Sequence, residues 1–201
     1  MVRLDKEKDE KEPEKQGEGF GGIGKHLLEK RIVLLFGPID KVLAQKIISQ
    51  LIYLDTINSE PILMVINSPG GDADAGFAIL DIIRAIKSPV KTLANGIAAS
   101  AATVVLLASK KEWRFATKNA RLLIHQPSTG TQGTASDIEI QAKAIRELRK
   151  VGSQLIADQT GKSFDQVEKD IHRDYWMNAE EAQNYGLVSK LVDNISDIIT
   201  Y

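Results

Sequence analysis

The chain has 201 residues, of which 43% are hydrophobic, a formal net charge of −1 and no cysteine. This length and apolar content predict one folded domain, and the near-zero charge gives no support for a nucleic acid or an anionic membrane as a partner. The lack of cysteine excludes disulfides, thiolate metal ligands and a cysteine nucleophile.

The N-terminal segment is dominated by charged residues and glycine. Residues 1–19 hold few apolar side chains, and the glycines within 17–24 extend the flexible composition. Such a segment cannot offset the entropy of ordering. We therefore expect a disordered tail over 1–24, a folded domain over 25–193 and a short C-terminal tail over 194–201.

Strands and helices alternate through the folded part. Short apolar runs that end at turn residues predict strands, and apolar positions at helical spacing predict helices. The predicted strands are 31–36, 62–66, 90–93, 112–116 and 121–125; the predicted helices are 40–57, 72–87, about 98–108, a long one from about Ala135 with Ser136 and Glu139 as its capping box, 163–171 and 178–185, ahead of an apolar segment at 187–192. The alternation predicts an α/β fold with a mainly parallel sheet.

Ser100 stands where the strand that ends at Gly96 gives way to an Ala-rich segment. Small neighbours let a substrate backbone come close, and a serine at the start of a helix lies near unpaired backbone N–H groups. A serine in this setting is more often a helix N-cap than a nucleophile. The local sequence leaves both roles open.

The turn Asn67-Ser-Pro-Gly-Gly71 directly follows a buried strand. Its two glycines permit backbone conformations closed to other residues and leave amide N–H groups uncovered. An ordinary strand-to-helix turn is the more common explanation of such a run. The functional interpretation is a donor for a developing oxyanion.

His125 ends the apolar run that begins at Arg121. Strand ends are where α/β proteins place functional groups, although a partly buried histidine is more often structural. A serine–histidine site also needs a carboxylate that orients the imidazole. The C-terminal third offers four, among which spacing does not choose: Asp158, Asp165, Asp170 and Asp174.

Taken together, these motifs resemble the Clp protease proteolytic subunit, a serine peptidase of the crotonase-like fold. The resemblance covers about residues 28–193 and implies repeated ββα units with a protruding strand–helix handle at about 126–160. The stretches that carry it are 66–71 with Ala75-Gly76, 96–100, 124–127, 132–140 and 173–188.

The resemblance implies a role for each candidate residue. Ser100 would be the nucleophile, His125 the general base and Asp174 the acid that orients it. The backbone N–H groups of Gly71 and Ala101 would bind the oxyanion. The implied activity is that of a serine endopeptidase that cleaves unfolded proteins and peptides.

The resemblance also implies an assembly. Two stacked seven-membered rings, built from this chain, a second subunit of the same type or both, would enclose the sites, with Arg173 at the contact between rings. An AAA+ unfoldase would use ATP and deliver substrates, so this subunit needs no cofactor or metal. The sequence has no signal-like start, which predicts a cytoplasmic protein.

Several positions depart from the family's usual residues. Ala101-Ala102 replaces Met-Gly after the nucleophile, and His172 replaces an aspartate of the ring contact. Leu63 and Val65 stand where tyrosines are usual, and Ala85 where a phenylalanine is common. Because those aromatic side chains line the outer pocket that receives the unfoldase, we expect weak docking by this chain and a mixed assembly in which a second peptidase subunit docks the unfoldase.

Two alternatives stay open at the level of sequence. The first is a weakly active or structural ring subunit of a mixed assembly, in which the pocket beside Ala101-Ala102 is too poorly shaped for acylation. The second is a crotonase-type acyl-CoA enzyme. That fold also presents backbone donors to an acyl oxygen, but it does not need a Ser-His-Asp set.

Overall fold

A computed structural model describes residues 18–199. The strands are β1 (Ile32–Phe36), β2 (Ile62–Ser68), β3 (Val90–Ala99), β4 (Arg114–Thr117), β5 (Arg121–Ile124), β6 (Tyr175–Asn178) and β7 (Lys190–Val192). The helices are α1 (Glu18–Glu29), α2 (Lys41–Ile57), α3 (Ala73–Ala85), α4 (Ala101–Leu106), α5 (Ala135–Thr160), α6 (Phe164–Asp170) and α7 (Ala179–Tyr185), with short 3-10 turns at Lys111–Trp113 and Ile195–Asp197. None of the helices within 18–199 is long and apolar enough to cross a bilayer.

The strands form one sheet in which β1, β2, β3, β4 and β7 are neighbours in that order. Each of these pairs is parallel, as expected where helices connect successive strands. The long β3 pairs with β2 along one edge and with two strands along the other, where residues 92–94 pair with β4 and residues 97–99 pair with β5. β6 then adds to β5 in the antiparallel sense. The predicted α/β class is confirmed.

Both faces of β2 are covered. Ile62, Met64 and Ile66 point into the main core beneath the helices, whereas Leu63 and Val65 point to a smaller cluster on the opposite face. Successive side chains of a strand alternate between faces, so a continuous apolar run is what a doubly covered strand requires.

The C-terminal segment is part of the fold rather than a tail. Ile198 is buried against Leu63, Val65 and their neighbours, and Lys91 Nζ donates a hydrogen bond of 2.8 Å to the Ile198 carbonyl. The predicted tail over 194–201 is therefore wrong for residues 195–199. Apolar burial accounts for the difference, since Ile198 completes the second cluster.

The N-terminal prediction is wrong for residues 18–24, which form the first turns of α1. Leu28 packs against the main core, and a hydrogen bond of 2.9 Å from Arg31 N to Leu28 O closes the end of α1 directly before β1. Once one end of a helix is fixed, adding further residues to it costs little. Residues 1–17 of the predicted tail lie outside the described residues.

Two further local predictions are corrected. Thr134 and Asp137, not Ser136 and Glu139, form the capping box of α5: Asp137 N–H donates to Thr134 Oγ1, and Thr134 N–H donates to Asp137 Oδ2. Residues 126–134 contain no strand in the described structure, so the predicted handle is a helix that follows an irregular segment. A strand forms only beside a partner strand, which this segment does not have in the described chain.

Candidate active site

Ser100 occupies a sharp turn between β3 and α4. Its φ of 56° and ψ of −119° are rare for a residue with a side chain and store backbone strain. The turn is held from both sides: Ser100 N–H donates to Leu123 O at 3.0 Å, and Thr103 Oγ1 donates to Ala98 O at 2.9 Å. The Ser100 side chain caps no helix N–H group. Strained strand-to-helix turns of this kind present the nucleophile in α/β-hydrolases.

The predicted start of the helix near residue 98 is wrong, because β3 continues to Ala99. Gly96 has a φ of 91°, and Asn67 Oδ1 accepts a hydrogen bond of 3.2 Å from Ile97 N–H beside it. The strand thereby passes a register shift and goes on to pair with β5. This extension delivers Ser100 to the end of β5.

His125 directly follows β5. Because Ala99 pairs with Leu123, the residue after β3 and the residue after β5 emerge close together. His125 Nε2 lies 2.8 Å from Ser100 Oγ, a normal hydrogen-bond distance. The structure therefore brings these two predicted residues into contact.

Asp174 is the acid that reaches the imidazole. β6 begins where β5 ends, and the pairing of Ile124 with Tyr175 puts positions 125 and 174 side by side. Asp174 Oδ1 lies 3.0 Å from His125 Nδ1. The antiparallel pairing of β6 with β5 therefore places Asp174, and none of the other three candidate aspartates, beside His125. The sequence did not predict this pairing.

The other candidate aspartates are not part of this group. Asp158 accepts a hydrogen bond from Gln154 at 2.7 Å, and Asp170 accepts one from the Tyr185 hydroxyl at 2.7 Å. Asp165 lies in the first turn of α6. All three lie on α5 or α6, and none of them hydrogen-bonds to His125.

The glycine turn lies directly against Ser100. Ile39 N–H donates to Gly70 O, and Asp72 N–H donates to Ile39 O, both at 2.8 Å. These two bonds form a parallel bridge in which the N–H group of Gly71 takes no part. The N–H of Ala101 is the first of α4, and such groups have no partner inside the helix. Both predicted oxyanion donors are thus backbone N–H groups that the surrounding bridge and helix do not use.

A cleft of about 930 Å³ passes over the three side chains. It runs from the glycine turn at Pro69 and Gly71 to Arg121 and Trp176, with α5 along one side. A smaller cavity beside Ser100 is mainly apolar, and its walls include Phe77, Val104, Ile124, Leu148 and Ile156.

Sequence reasoning missed the residues that support the site. Thr103, which holds the turn of Ser100, and Gln126, which follows the histidine, belong to stretches that were singled out for other residues. Arg149 donates to Gln126 Oε1 at 2.9 Å from α5, twenty-three residues away in the sequence. Side-chain contacts at such separations leave no local pattern, so no sequence signal marked Arg149.

The remaining predicted positions lie apart from the cleft. Arg173 and His172 are exposed on the described chain, and the ring contact assigned to Arg173 stays a prediction. A third histidine, His26, which was not a candidate for the site, lies 3.1 Å from Glu29 on α1. Between residues 18 and 199 no group of His, Asp and Glu side chains has the geometry to hold a metal ion.

Comparisons with known proteins agree with this architecture. The family model described as Clp protease matches residues 15–195. The ATP-dependent Clp protease proteolytic subunit 2 of Treponema pallidum is 49% identical over 172 residues, which are 85% of this chain and 86% of the relative. The proteolytic subunit 3 of Rhizobium johnstonii is 44% identical over 173 residues, 86% of this chain and 89% of the relative.

A solved structure gives the same result. A mutant of ClpP1 from Listeria monocytogenes is 39% identical, covers 88% of this chain and 99% of its own, and superposes with a TM-score of 0.82. The chain therefore belongs to the Clp protease family and is a serine peptidase.

Proposed function

We propose that Ser100 is the nucleophile of this peptidase, His125 its general base and Asp174 the acid that orients the histidine. The hydrogen-bond chain carries the proposal, with 2.8 Å between Ser100 and His125 and 3.0 Å between His125 and Asp174. Asp174 accepts a hydrogen bond from the Nδ1–H of the imidazole, so Nε2 is free to accept the proton of Ser100.

The first half of the reaction then follows. Ser100 Oγ attacks the carbonyl carbon of the scissile peptide bond while its proton moves to His125 Nε2. The carbonyl oxygen becomes an oxyanion, which accepts hydrogen bonds from the backbone N–H groups of Gly71 and Ala101. The C–N bond breaks, the leaving amine takes the proton from Nε2, and an ester on Ser100 remains.

Water completes the cycle by the same route. His125 Nε2 takes a proton from the water as its oxygen attacks the ester carbonyl, and the oxyanion forms at the same two amides. When the tetrahedral intermediate collapses, Ser100 Oγ leaves and recovers its proton from His125. The products are a free carboxylate and the restored enzyme.

The assembly belongs to the same proposal. The relatives are named ATP-dependent proteolytic subunits, and we infer that this chain also forms stacked rings served by an ATP-using unfoldase. Three apolar side chains of α5 are exposed and would be available for contacts with other subunits: Ile138, Ile140 and Val151. A cytoplasmic location and the absence of a cofactor are predictions of this proposal.

A serine substitution tests the catalytic assignment. Ser100→Ala is expected to abolish peptide cleavage and labelling by a fluorophosphonate, because no other hydroxyl contacts His125 among the described residues. Ser196→Ala is the matched control, since Ser196 is exposed on the C-terminal turn. Cleavage by the Ser100→Ala protein above the rate of a blank would overturn the proposal.

The same experiment separates the structural-subunit alternative. A folded, ring-forming chain that is not labelled at Ser100 would favour a ring subunit without activity of its own. The apolar cavity beside Ser100 supports the active form, because Ala101 leaves room for a substrate side chain there. Labelling of the ring made by this chain alone would reject the inactive alternative.

A further inference from the structure

The backbone that carries Asp174 is not held by packing. Residues 172–174 lie between buried Ile171 and the start of β6, and all three are exposed. The Asp174 side chain is 65% exposed, compared with 27% for His125. A carboxylate in this setting keeps its place only if hydrogen bonds hold the chain next to it.

The pairing of β6 with β5 holds the chain after Asp174, and Gln126 supplies the hydrogen bonds before it. Its backbone N–H donates to Ile171 O at 2.8 Å, and its side-chain Nε2 donates to His172 O at 2.8 Å. Gln126, which is adjacent to His125, thus hydrogen-bonds to two successive carbonyl groups of the segment that leads to Asp174. The two partners of the triad are linked through it as well as through their own hydrogen bond.

Arg149 fixes which way the Gln126 amide points. Its Nη1 donates to Gln126 Oε1 at 2.9 Å, so the amide nitrogen is the end that faces His172. Arg149 is itself anchored by Glu168, whose Oε2 lies 2.8 Å from Arg149 Nη2, and the Ser153 hydroxyl donates to the other oxygen of Glu168. The three anchoring side chains come from α5 and α6, outside the sheet.

We infer that Gln126, oriented by Arg149, is a positioning residue that holds Asp174 against His125. This inference rests on the proposed roles of Ser100, His125 and Asp174. Gln126 does not touch the reacting atoms; it acts on the carbonyl two residues before the acid. It also links the triad to α5, so a movement of that helix reaches the acid through one arginine.

Two substitutions at one position test the inference. Gln126→Met is similar in length but removes both side-chain hydrogen bonds without adding charge. Gln126→Glu keeps an acceptor for Arg149 but has no donor for His172 O. Because a misplacement of about 1 Å in a catalytic group can cost about 100-fold in rate, we expect both variants to lose about 10- to 100-fold in kcat and in the rate of fluorophosphonate labelling.

The pattern of kinetic constants separates positioning from general structural damage. Loss of an interaction that acts in the transition state lowers kcat and kcat/KM together and leaves KM nearly unchanged. Melting temperature and ring mass are measured alongside and are expected to match those of the unsubstituted chain. Gln154→Ala is the control, because it removes a comparable hydrogen bond, 2.7 Å to Asp158 on α5, away from the cleft; its kinetics are expected to be unchanged.

Three results would overturn the inference. The first is a Gln126→Glu protein with full kcat and labelling rate, which would show that the bond to His172 O does not matter. The second is a loss confined to KM. The third is a failure of Gln126→Glu to fold, which would make the residue structural. An active Ser100→Ala protein would instead refute the proposed function, so the two failures are distinguishable.

Discussion

Gly70 approaches Ser100 so closely that position 70 has no room for a side chain. A Cβ placed on Gly70 would collide with the Ala99 carbonyl oxygen and would lie 2.8 Å from the Ser100 Cβ, closer than real Cβ atoms come to a neighbour. Gly70 also has a φ of 87°, which favours glycine. The glycine turn is therefore fitted to the strained serine, and the strain and the close approach support each other.

Gly70→Ala is expected to destroy the site and to destabilise the fold. The added methyl group cannot move away from backbone atoms of β3 and α4, so Ser100 must shift. We expect fluorophosphonate labelling to fall to background and the free energy of unfolding to drop by about 2 kcal/mol or more, given the cost of positive φ and of overpacking. Chemical denaturation and the labelling rate measure the two effects.

Gly24→Ala is the control for this substitution. Gly24 lies in α1 with open space around its Cβ position, and alanine is the better helix former. Its stability is expected to be unchanged or to rise by up to about 1 kcal/mol. Full labelling by the Gly70→Ala protein would show that the turn adapts and that the close packing is not required.

The strain at Ser100 predicts an unusual order of stabilities. In most positions glycine costs about 0.5–1 kcal/mol relative to alanine. At a φ of 56° and ψ of −119°, however, alanine keeps the strain and glycine relieves it. We therefore expect Ser100→Gly to be at least as stable as Ser100→Ala in chemical denaturation. An alanine variant more stable than the glycine variant by about 1 kcal/mol would mean that the turn is not strained.

The sequence predicted the elements well because the strands are short apolar runs and the helices have a clear apolar face. It failed at β3, where Ala-rich residues 97–99 look helical but are drawn into the sheet by pairing with β5. It also failed at β6, whose residues Tyr175 and Trp176 are largely exposed and give no alternation signal. In both cases the strand forms because it pairs with β5, a contact that the local sequence does not reveal.

The site was predicted unevenly for the same reason. Ser100, His125 and the glycine turn sit at ends of predicted elements, so their pattern was visible. Residue patterns alone left four aspartates open, and only the resemblance pointed to Asp174, because the pairing of β5 with β6 is what selects it. The contacts of Gln126 with Arg149 and His172 depend on three-dimensional proximity, so neither was predictable.

Ile198 offers a test of the C-terminal segment. It is 4% exposed and covers Leu63 and Val65 on the outer face of the sheet. Ile198→Ala is expected to lower the free energy of unfolding by about 2–3 kcal/mol, the usual cost of truncating a buried isoleucine. Ile195→Ala is the matched control in the same segment: Ile195 is 45% exposed, so its loss is expected to be below about 0.5 kcal/mol. Equal effects in the two variants would contradict the packing seen here.

Asp55 predicts a pH dependence of stability. Its carboxylate accepts hydrogen bonds from Ser88 N–H at 2.7 Å and from Ser88 Oγ at 2.8 Å, and these bonds lower the pKa of Asp55 below its ordinary value. A carboxyl group whose pKa is lowered by folding adds stability above its unfolded pKa, about 3.9, and that stability is lost as the pH falls through the folded pKa. The contribution is therefore complete at neutral pH and disappears in acid.

Asp55→Asn removes the charge but keeps one oxygen acceptor. The variant is expected to be less stable than the unsubstituted chain at neutral pH. The gap is expected to narrow once the pH falls below the unfolded pKa of about 4, and to close only as the pH falls through the lower pKa of the native carboxylate. Urea denaturation at a series of pH values measures both curves, with Asp193→Asn, an exposed position, as the control. A gap that stays constant from neutral to acid pH would show that the Ser88 bonds do not favour the charged form.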